Sequence, residues 1–356
     1  MNESMKFRTL VKGRGAVSNP GGRFESLRRE AEDDGWGGLE QEVTVATVLE
    51  VDRARRVITY NESPDIPFDR SINPYRGCEH GCIYCFARPT HAYLGLSPGQ
   101  DFESRLFHKP DAPERLREEL AHPRYTCRPI ALGINTDGWQ PVERRLGLTR
   151  RLLEVLAECR HPVSIVTKWA LIERDLDLLT DLARDGLVHV FISLTTLDRE
   201  LARRLEPRAP QPERRLAVIE TLAGAGVPVG VMVAPVVPVL TDPEMERILQ
   251  RARAAGAQEA GYVVLRLPHE VKDLFREWLA AHEPLKAEHV MNRVREVHGG
   301  RDYQPEFGLR LRGRGTYARF LRDRFRLAYR RLGFPGLPPL PTDLFRPPAG
   351  GQMSLF

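Results

Sequence analysis

The sequence lacks the features of membrane proteins and of small secreted proteins. No apolar run reaches the roughly 18 residues that a membrane-spanning helix needs, and the first residues have no apolar stretch typical of a secretory signal. Cysteine is scarce, with five in 356 residues, which argues against a disulfide framework. We therefore expect a cytoplasmic protein in a reducing compartment. The net charge of +5 is modest, so the distribution of basic residues is more informative than their total.

Three of the five cysteines form a CxxxCxxC motif. Cys78, Cys82 and Cys85 make up the motif, and the aromatic Tyr84 directly precedes the last cysteine. Three thiolates can hold three irons of a [4Fe–4S] cube, which leaves the fourth iron open to a small molecule. The alternative is a zinc site that includes His80, although a histidine between the first two cysteines is awkward for closing a tetrahedron. No second CxxC pair is present in the sequence.

Short apolar runs alternate with amphipathic stretches from residue 71 onward. Between the runs, apolar residues recur at spacings of three and four, the pattern of a helix with one buried face. Six strand–helix units predict a parallel sheet covered by helices, two units short of a complete eight-unit barrel. The apolar runs lie at residues 71–75, 130–134, 163–167, 188–194, 227–233 and 261–265.

Polar groups follow several of the predicted strands at the point where each strand ends. Thr136 and Asp137 follow the second strand, Lys168 follows the third, Ser193 ends the fourth and Ala234 ends the fifth. In barrels of parallel strands, ligands bind at the carboxyl ends of the strands. Aspartate and threonine also cap helices and build turns, but their convergence on one edge predicts a ligand site.

The cysteine motif and four further segments resemble one branch of a known family. The segments are 71–78, 136–143, 167–168 and 233–238. They look like the spore photoproduct lyase-like branch of the radical S-adenosylmethionine (radical SAM) superfamily, often labelled DNA repair photolyase-like. The resemblance covers about residues 71–279 and implies an α/β fold, a partial (β/α)6 TIM-like barrel. The cluster loop of that family follows the first barrel strand, as the cysteines do here.

The resemblance also implies a set of cofactors, partners and site residues. A [4Fe–4S] cluster held by the three cysteines would reductively cleave S-adenosylmethionine (SAM) to a 5′-deoxyadenosyl radical. An electron donor such as flavodoxin or ferredoxin would supply the electron, and DNA is the implied substrate of this lyase-like branch. The residues that match the SAM pocket are Tyr84, Thr136, Asp137, Lys168, Ser193 and Ala234.

One departure from the lyase pattern concerns the return of a hydrogen atom to the substrate. The lyase is expected to carry a cysteine just before the residues that match Thr136, where this chain has Ile134 and Asn135. Repair of spore photoproduct itself is therefore not expected, and we consider Cys127, Tyr93 and Tyr262 as other hydrogen relays. Two alternatives stay open: a radical SAM enzyme acting on a small molecule, protein or RNA, and a non-enzymatic adaptor whose cysteines hold zinc and which binds nucleic acid or a clamp.

The regions outside the barrel divide the chain further. We expect a loosely structured N-terminal arm and a β-hairpin of strands 44–49 and 56–60 within residues 1–70, and a radical SAM core at 71–285. Residues 286–332 are a basic helical segment, in which nine arginines stand between 310 and 331 with aromatic residues interleaved. Arginines can contact phosphates and aromatic rings can stack on bases. Alternatively, the aromatic face is buried against the barrel and the arginines are solvated.

The last part of the chain, residues 333–356, is rich in proline and glycine and is expected to be a flexible tail. It ends in a pentapeptide that resembles the bacterial sliding-clamp-binding peptide. Two apolar side chains at the tip of a polar tail suit a partner's pocket. The alternative is a tail that folds back onto its own barrel. The pentapeptide consists of Gln352, Met353, Ser354, Leu355 and Phe356.

Overall fold

The strands form two sheets in the computed structural model, which describes residues 11–25 and 45–348. The strands are β1 (Val48–Val51), β2 (Ile58–Tyr60), β3 (Arg70–Ile72), β4 (Tyr75–Arg76), β5 (Arg105–His108), β6 (Ile130–Leu132), β7 (Val163–Thr167), β8 (Val188–Ser193), β9 (Val229–Val236) and β10 (Glu259–Val264). The larger sheet has the strand order β10-β9-β8-β7-β6-β3-β2, and the smaller one has the order β1-β5-β4.

Helices connect the strands of the larger sheet and cover its outer side. Three 3-10 helices, Arg88–Leu94, Ala170–Asp175 and Asp242–Glu244, accompany the α-helices in the described part of the chain. The α-helices are α1 (Asp101–Ser104), α2 (Ala112–Leu120), α3 (Glu143–Leu146), α4 (Leu148–Glu158), α5 (Leu176–Arg184), α6 (Arg199–Leu205), α7 (Pro212–Gly224), α8 (Met245–Ala254), α9 (Val271–His282), α10 (Ala287–Val297) and α11 (Gly315–Arg331). Among the described residues, no helix has both the length and the apolar character to cross a membrane.

Local sequence signals explain where several helices begin. The Asp198 carboxylate caps α6 by accepting hydrogen bonds from the backbone N–H groups of Glu200 and Leu201, which otherwise lack partners in the first turn. Pro212 stands in the first turn of α7, where its missing N–H costs nothing. The apolar residues of these helices recur at spacings of three and four, so they lie on one face, and that face packs on the sheet as predicted.

The six predicted barrel strands are confirmed. β3, β6, β7, β8, β9 and β10 pair in parallel and in sequence order, so they form a partial (β/α)6 barrel. Valine and isoleucine dominate β7 and β8, and their inward and outward faces are both largely covered, as in other parallel sheets. The carboxyl ends of the six strands consequently meet at one edge, which we call the mouth.

The predicted N-terminal hairpin is wrong. β1 pairs in parallel with β5, from Val48 opposite Arg105 to Val51 opposite His108. β2 pairs instead with β3, antiparallel, and extends the edge of the barrel sheet. The two strands therefore belong to different sheets. β5 is more buried than β2, and β3 is more buried than β1, so each strand pairs with a later strand rather than with its neighbour.

Helix α11 buries one face against the barrel. This burial was the alternative to nucleic-acid binding in the sequence-based interpretation of residues 286–332. Phe325 packs on Tyr262 of β10 with ring centroids 4.7 Å apart, and Arg324 forms an ion pair with Glu246 of α8. Five arginines of this helix, at positions 319, 322, 326, 330 and 331, are exposed. The aromatic residues of this segment therefore serve mainly the protein's own core, while the arginines form a basic outer surface. The buried positions are Ala318, Leu321, Phe325 and Ala328.

The tail after α11 is not extended away from the barrel up to residue 348, which corrects the prediction of a flexible tail for this part. Gly336 donates a backbone hydrogen bond to Gln258, just before β10, and Arg346 donates one to Cys159, before β7. The Phe345 ring meets the edge of the His161 ring at 5.3 Å. These partners all precede strands, so the tail crosses the amino-terminal face of the barrel, opposite to the mouth. The clamp-like peptide 352–356 lies outside the described residues.

Candidate functional site

The three cysteines of the motif lie on one loop that leaves the first barrel strand toward the mouth. Cys78 and Cys82 are buried and Cys85 is half-buried. The loop turns at Gly81, whose φ of +66° is a left-handed conformation; a β-carbon there would come within 2.7 Å of a Glu103 side-chain oxygen. Only glycine fits this turn without displacing a buried carboxylate.

A buried arginine holds the cysteine loop from inside. The Arg88 guanidinium is fully buried and donates to the backbone carbonyls of Cys82 at 2.9 Å and Gly81 at 3.1 Å. It also forms an ion pair with Glu103 at 2.5 Å. Charged groups of this kind remain buried only when they are paired and hydrogen-bonded. The Arg88–Glu103 pair was not predicted. The position of Arg88, three residues after the last cysteine, is the only feature of the local sequence that points to it.

The N-terminal segment 11–25 packs on this loop, although we expected a loosely structured arm. The backbone N–H groups of Gly15 and Ala16 donate to the two Glu103 carboxylate oxygens, each at 2.9 Å. A β-carbon at Gly15 would lie 1.9 Å from the Gly81 carbonyl oxygen, so the two backbones are in direct contact. We call residues 11–25 the strap, because Arg23 at its far end reaches Glu270 across the mouth at 3.1 Å.

The buried environment keeps two of the thiols protonated. Burial raises the pKa of the Cys78 thiol, and it raises the pKa of the Cys82 thiol to about 12. Metal ligation requires the thiolate form, so binding of a metal group here releases protons. Without a ligand, the Cys78 and Cys82 thiols therefore carry no charge. They become thiolates only when a metal group binds.

Asp137 fixes the neighbouring strand ends. Its carboxylate accepts hydrogen bonds from the Thr167 hydroxyl and from the Lys168 backbone N–H, both at 2.7 Å. The hydroxyl of Thr136 donates to the backbone carbonyl of Tyr75 at 2.8 Å. Both predicted residues lie at the mouth, but their polar atoms bind residues of β4 and β7 and the Lys168 backbone in this structure.

Lys168, Ser193 and Ala234, which were predicted to line a SAM pocket, form a polar line across three strand ends. The Lys168 ammonium donates to the Ser193 hydroxyl at 2.7 Å, and that hydroxyl donates to the Ala234 carbonyl at 3.1 Å. The ammonium is also 3.9 Å from a carboxylate oxygen of Glu206. A cation, a hydroxyl and a carbonyl are thus brought together beside the cysteine loop.

Glu206 and Arg215 join this line to Tyr84, and the sequence analysis missed both. Both side chains are buried and form an ion pair, and the Tyr84 hydroxyl donates to the Glu206 carboxylate. Although burial alone would raise the pKa of Glu206, the adjacent Arg215 and Lys168 cations lower it to about 2. Arginines outnumber acidic residues in the stretch 199–215, so its single buried carboxylate gave no separate signal in the sequence.

His80 lies within the cysteine loop with one ring nitrogen unsatisfied. It stacks on Trp169 with ring centroids 5.1 Å apart, and its Nδ1 is 3.5 Å from an Asp137 oxygen. Its Nε2 is buried without a hydrogen-bond partner among the described residues, and burial lowers the pKa of the ring to about 4. Buried polar atoms almost always have partners, so this nitrogen indicates a polar ligand at the site.

The arrangement suits a cubane cluster better than a zinc ion. Within the described parts of the chain, no group of three or more His, Cys, Asp or Glu side chains is placed to hold one metal ion. A structural zinc ion needs four ligands converging on one point, whereas each thiolate of a cubane holds a different iron. His80 faces Asp137 and Trp169 rather than completing a tetrahedron with the cysteines.

Three residues considered as hydrogen relays do not lie in the site. Cys127 precedes β6, so it is at the amino-terminal face of the barrel, away from the mouth. Tyr262 faces outward and packs on α11 through Phe325. Tyr93 is 70% exposed and contacts Phe24 of the strap.

Comparison with known proteins identifies the family. The model of the Radical SAM superfamily matches residues 72–252, which include the cysteine loop and most of the barrel. The chain belongs to the radical SAM superfamily. This superfamily uses a [4Fe–4S] cluster and S-adenosylmethionine, and the three cysteines on one loop, with the unsatisfied His80 nitrogen beside them, fit these groups.

The chain is also similar to individual relatives and to solved structures. An uncharacterised protein of Mycobacterium tuberculosis is 38% identical over 261 residues, which cover 73% of this chain and 73% of that protein. An uncharacterised protein of Methanocaldococcus jannaschii is 27% identical over 173 residues, 49% of this chain and 62% of that one. A spore photoproduct lyase mutant with bound AdoMet and dinucleoside spore photoproduct has a TM-score of 0.59 at 16% identity, covering 81% of this chain and 80% of that chain. The last likeness shows a shared fold.

Proposed function

We propose that this radical SAM protein binds one [4Fe–4S] cluster through Cys78, Cys82 and Cys85, cleaves SAM reductively and directs the resulting radical to a DNA lesion. The observation that carries this proposal is the position of the cysteine loop, directly beside the polar line of Lys168, Ser193 and Ala234 at the mouth. When bound, the cluster supplies one electron, and SAM yields methionine and a 5′-deoxyadenosyl radical.

The chain's own residues would bind and orient SAM. The Lys168 ammonium is the cation available for the methionine carboxylate, and Ser193 supplies a hydroxyl beside it. The Glu206 carboxylate, held by Arg215, lies 3.9 Å from the Lys168 ammonium and accepts a hydrogen bond from the hydroxyl of Tyr84, which aligns the backbone around the last cysteine with the pocket. Asp137 and Thr136 hold the strand ends in place, and the small Ala234 leaves room for the adenine edge.

A DNA lesion is the proposed substrate for two reasons. The fold is shared with spore photoproduct lyase, and the exposed arginines of α11 give the protein a basic surface that suits phosphates. The absence of a cysteine at Ile134 and Asn135 argues for a lesion other than spore photoproduct, or for a different route of hydrogen return. We place this activity in the cytoplasm, with a flavodoxin or ferredoxin as electron donor.

Anaerobic reconstitution with iron and sulfide, followed by SAM and dithionite, tests the proposed chemistry. The wild type should release 5′-deoxyadenosine and show the broad visible absorbance of an iron–sulfur cluster. Cys82→Ala should lose both, since two thiolates cannot hold the cluster. Cys127→Ala is the matched control, because that cysteine lies at the opposite face of the barrel, and it should retain both. A colourless protein that contains zinc and releases no product would favour the adaptor alternative.

We also propose a sliding clamp as a partner, through Gln352, Met353, Ser354, Leu355 and Phe356. The described part of the tail docks on the amino-terminal face through Phe345 and Arg346, so this part does not cross the mouth. Deleting residues 352–356 should abolish binding to a purified bacterial clamp and leave 5′-deoxyadenosine release unchanged. A truncated chain that still binds the clamp would rule out the peptide.

A further inference from the structure

Arg266 lies at the mouth next to the cysteine loop. It follows β10 by two residues, at the carboxyl end of the last barrel strand. Its guanidinium carbon is 3.9 Å from the centroid of the Phe86 ring, and Phe86 is the residue directly after Cys85. Burial lowers the pKa of Arg266, and the neighbouring Arg310 lowers it further. The side chain is therefore a cation held in an environment that disfavours its charge.

Asp65, a carboxylate that interacts electrostatically with this cation, already has other partners. Asp65 forms an ion pair with Arg310 at 2.5 Å and also accepts a hydrogen bond from the backbone N–H of Gly308 at 2.5 Å. Among the residues that the structure describes, none forms an ion pair or a side-chain hydrogen bond with the Arg266 guanidinium. Other arginines near the mouth differ in this respect, since Arg208 pairs with Glu79 and Arg215 pairs with Glu206.

A partly buried arginine without a counter-charge is unfavourable on its own, and an anionic ligand would offset that cost. The planar guanidinium matches the oxygens of a phosphate and can donate two parallel hydrogen bonds to them. The Phe86 ring packs against the guanidinium, and such a contact uses none of the guanidinium N–H donors. The proposed partner of the SAM carboxylate, Lys168, directly follows β7, which lies three strands away from β10 in the sheet order.

We propose that Arg266 binds a backbone phosphate of the nucleic-acid substrate and so positions that strand beside the cluster loop. This inference rests on the proposed action on DNA. It assigns to Arg266 a role that differs from that of the exposed arginines of α11: Arg266 contacts one phosphate next to the reacting nucleotide, whereas the helix supplies general attraction.

Binding of a fluorescent single-stranded oligodeoxynucleotide of about 12 nucleotides, within the range of single-strand sites, tests the proposal. The reconstituted wild type and Arg266→Gln are compared by anisotropy at several salt concentrations. Arg266→Gln should weaken binding about tenfold, as expected for loss of one charged hydrogen-bonded contact. The salt slope should decrease by about 0.7, the value for one phosphate on a single strand. Arg128→Gln is the matched control, because it removes the same charge at the amino-terminal face, and it should bind like the wild type.

A set of oligonucleotides with one methylphosphonate linkage each identifies the contact. At one linkage, removal of the phosphate charge should weaken binding to the wild type and leave Arg266→Gln unaffected. Arg266→Lys, which keeps the charge without the planar fork, should recover part of the affinity. The absorbance of the cluster, measured in every variant, reports whether the site is folded.

Three outcomes would overturn the inference in distinguishable ways. If the wild type binds no oligonucleotide at all, DNA is wrong as the substrate class. If the wild type binds and Arg266→Gln binds equally well with the same salt slope, only the role of Arg266 is wrong. If Arg266→Gln instead lowers the reduction potential of the cluster with unchanged DNA binding, Arg266 is a counter-charge for the cluster.

Discussion

At the scale of single residues, charge balance organises the site. Glu206 is a fully buried carboxylate with Arg215, Lys168, Tyr84 and Thr195 around it. The buried charges of Glu206 and Arg215 are stable only because they are paired with each other and hydrogen-bonded by their neighbours. The site residues on strand ends could be predicted from the sequence, because strand ends are local features. Glu206 could not, because its partners lie on other elements and only folding brings them together.

Replacing Glu206 with glutamine should destabilise the protein markedly. The variant leaves the buried Arg215 guanidinium without its counter-charge, which typically costs about 3–5 kcal/mol in the free energy of unfolding. Denaturant unfolding of the apoprotein measures this. The control is Glu173→Gln, which breaks a largely exposed pair with Arg214 and should cost about 1 kcal/mol or less. Equal effects of the two variants would contradict the importance of the buried pair.

Replacing Lys168 with alanine should weaken SAM binding while the cluster stays in place. Loss of a charged hydrogen bond to the carboxylate corresponds to about 1.5–3 kcal/mol, roughly 10- to 150-fold in the dissociation constant. Equilibrium binding of SAM to the reconstituted protein measures it, with cluster absorbance recorded in parallel. Lys286→Ala, at an exposed position before α10, is the control. Unchanged affinity in Lys168→Ala would remove this residue from the SAM pocket.

Acidification should destabilise the protein through His161. Burial lowers the pKa of this ring to about 4, whereas an unfolded histidine has a pKa of about 6.5. The unfolded state therefore binds a proton first, and the free energy of unfolding falls as the pH decreases from about 6.5 to 4, by about 3 kcal/mol for this group. Unfolding of the wild type and His161→Gln at several pH values measures it. Parallel pH profiles for the two proteins would contradict the prediction.

At the scale of elements, periodicity revealed the barrel but not the pairing of its first strands. The repeated β-branched runs and the helical spacings between them identify all six barrel strands, since both patterns are local. The partner of β1 lies more than 50 residues away in β5, and no local pattern encodes that choice. The strap was missed for the same reason, because its glycines look like coil until Glu103 and Gly81 are beside them.

Helix α11 allows its buried and exposed aromatic residues to be compared directly. Phe325 is 9% exposed and contacts Tyr262, whereas Phe320 on the same helix is 52% exposed. Phe325→Ala should lower the free energy of unfolding by about 3–5 kcal/mol, and Phe320→Ala should change it by less than about 1 kcal/mol. Denaturant unfolding measures both. If Phe320→Ala impairs oligonucleotide binding without affecting stability, that exposed ring also contacts bases.

At the scale of the whole molecule, the tail covers the end of the barrel that the helices leave open. Phe334 stacks on Tyr329 with ring centroids 5.0 Å apart, and Phe345 lies between His161 and Tyr125. The composition of the tail predicted an extended chain, and its described residues, 333–348, contain no helix or strand. It could not predict docking, because two aromatic residues among prolines have no periodicity.

Removing the docked tail should therefore weaken the fold. A chain that ends at residue 332 loses the burial of Phe334 and the contacts of Phe345, and its free energy of unfolding should fall by about 3 kcal/mol or more. A chain that ends at residue 348 keeps these contacts and should be as stable as the full-length protein. Thermal or denaturant unfolding of the three proteins measures the difference. Equal stability of the two truncated chains would show that the docked tail contributes nothing.

The position of the docked tail also determines how the two proposed binding events, at the mouth and beyond residue 348, would combine. The mouth and residue 348 lie at opposite ends of the barrel strands, separated by roughly 20 Å for a six-residue strand. A partner that holds the chain beyond residue 348 does not compete with a nucleic acid at the mouth. If that partner itself encircles or carries the same nucleic acid, the second contact becomes intramolecular. The occupancy of the mouth by the nucleic acid then depends on an effective concentration, which is set by the reach of the linker. A weak intrinsic affinity at the mouth would therefore be sufficient for substrate capture.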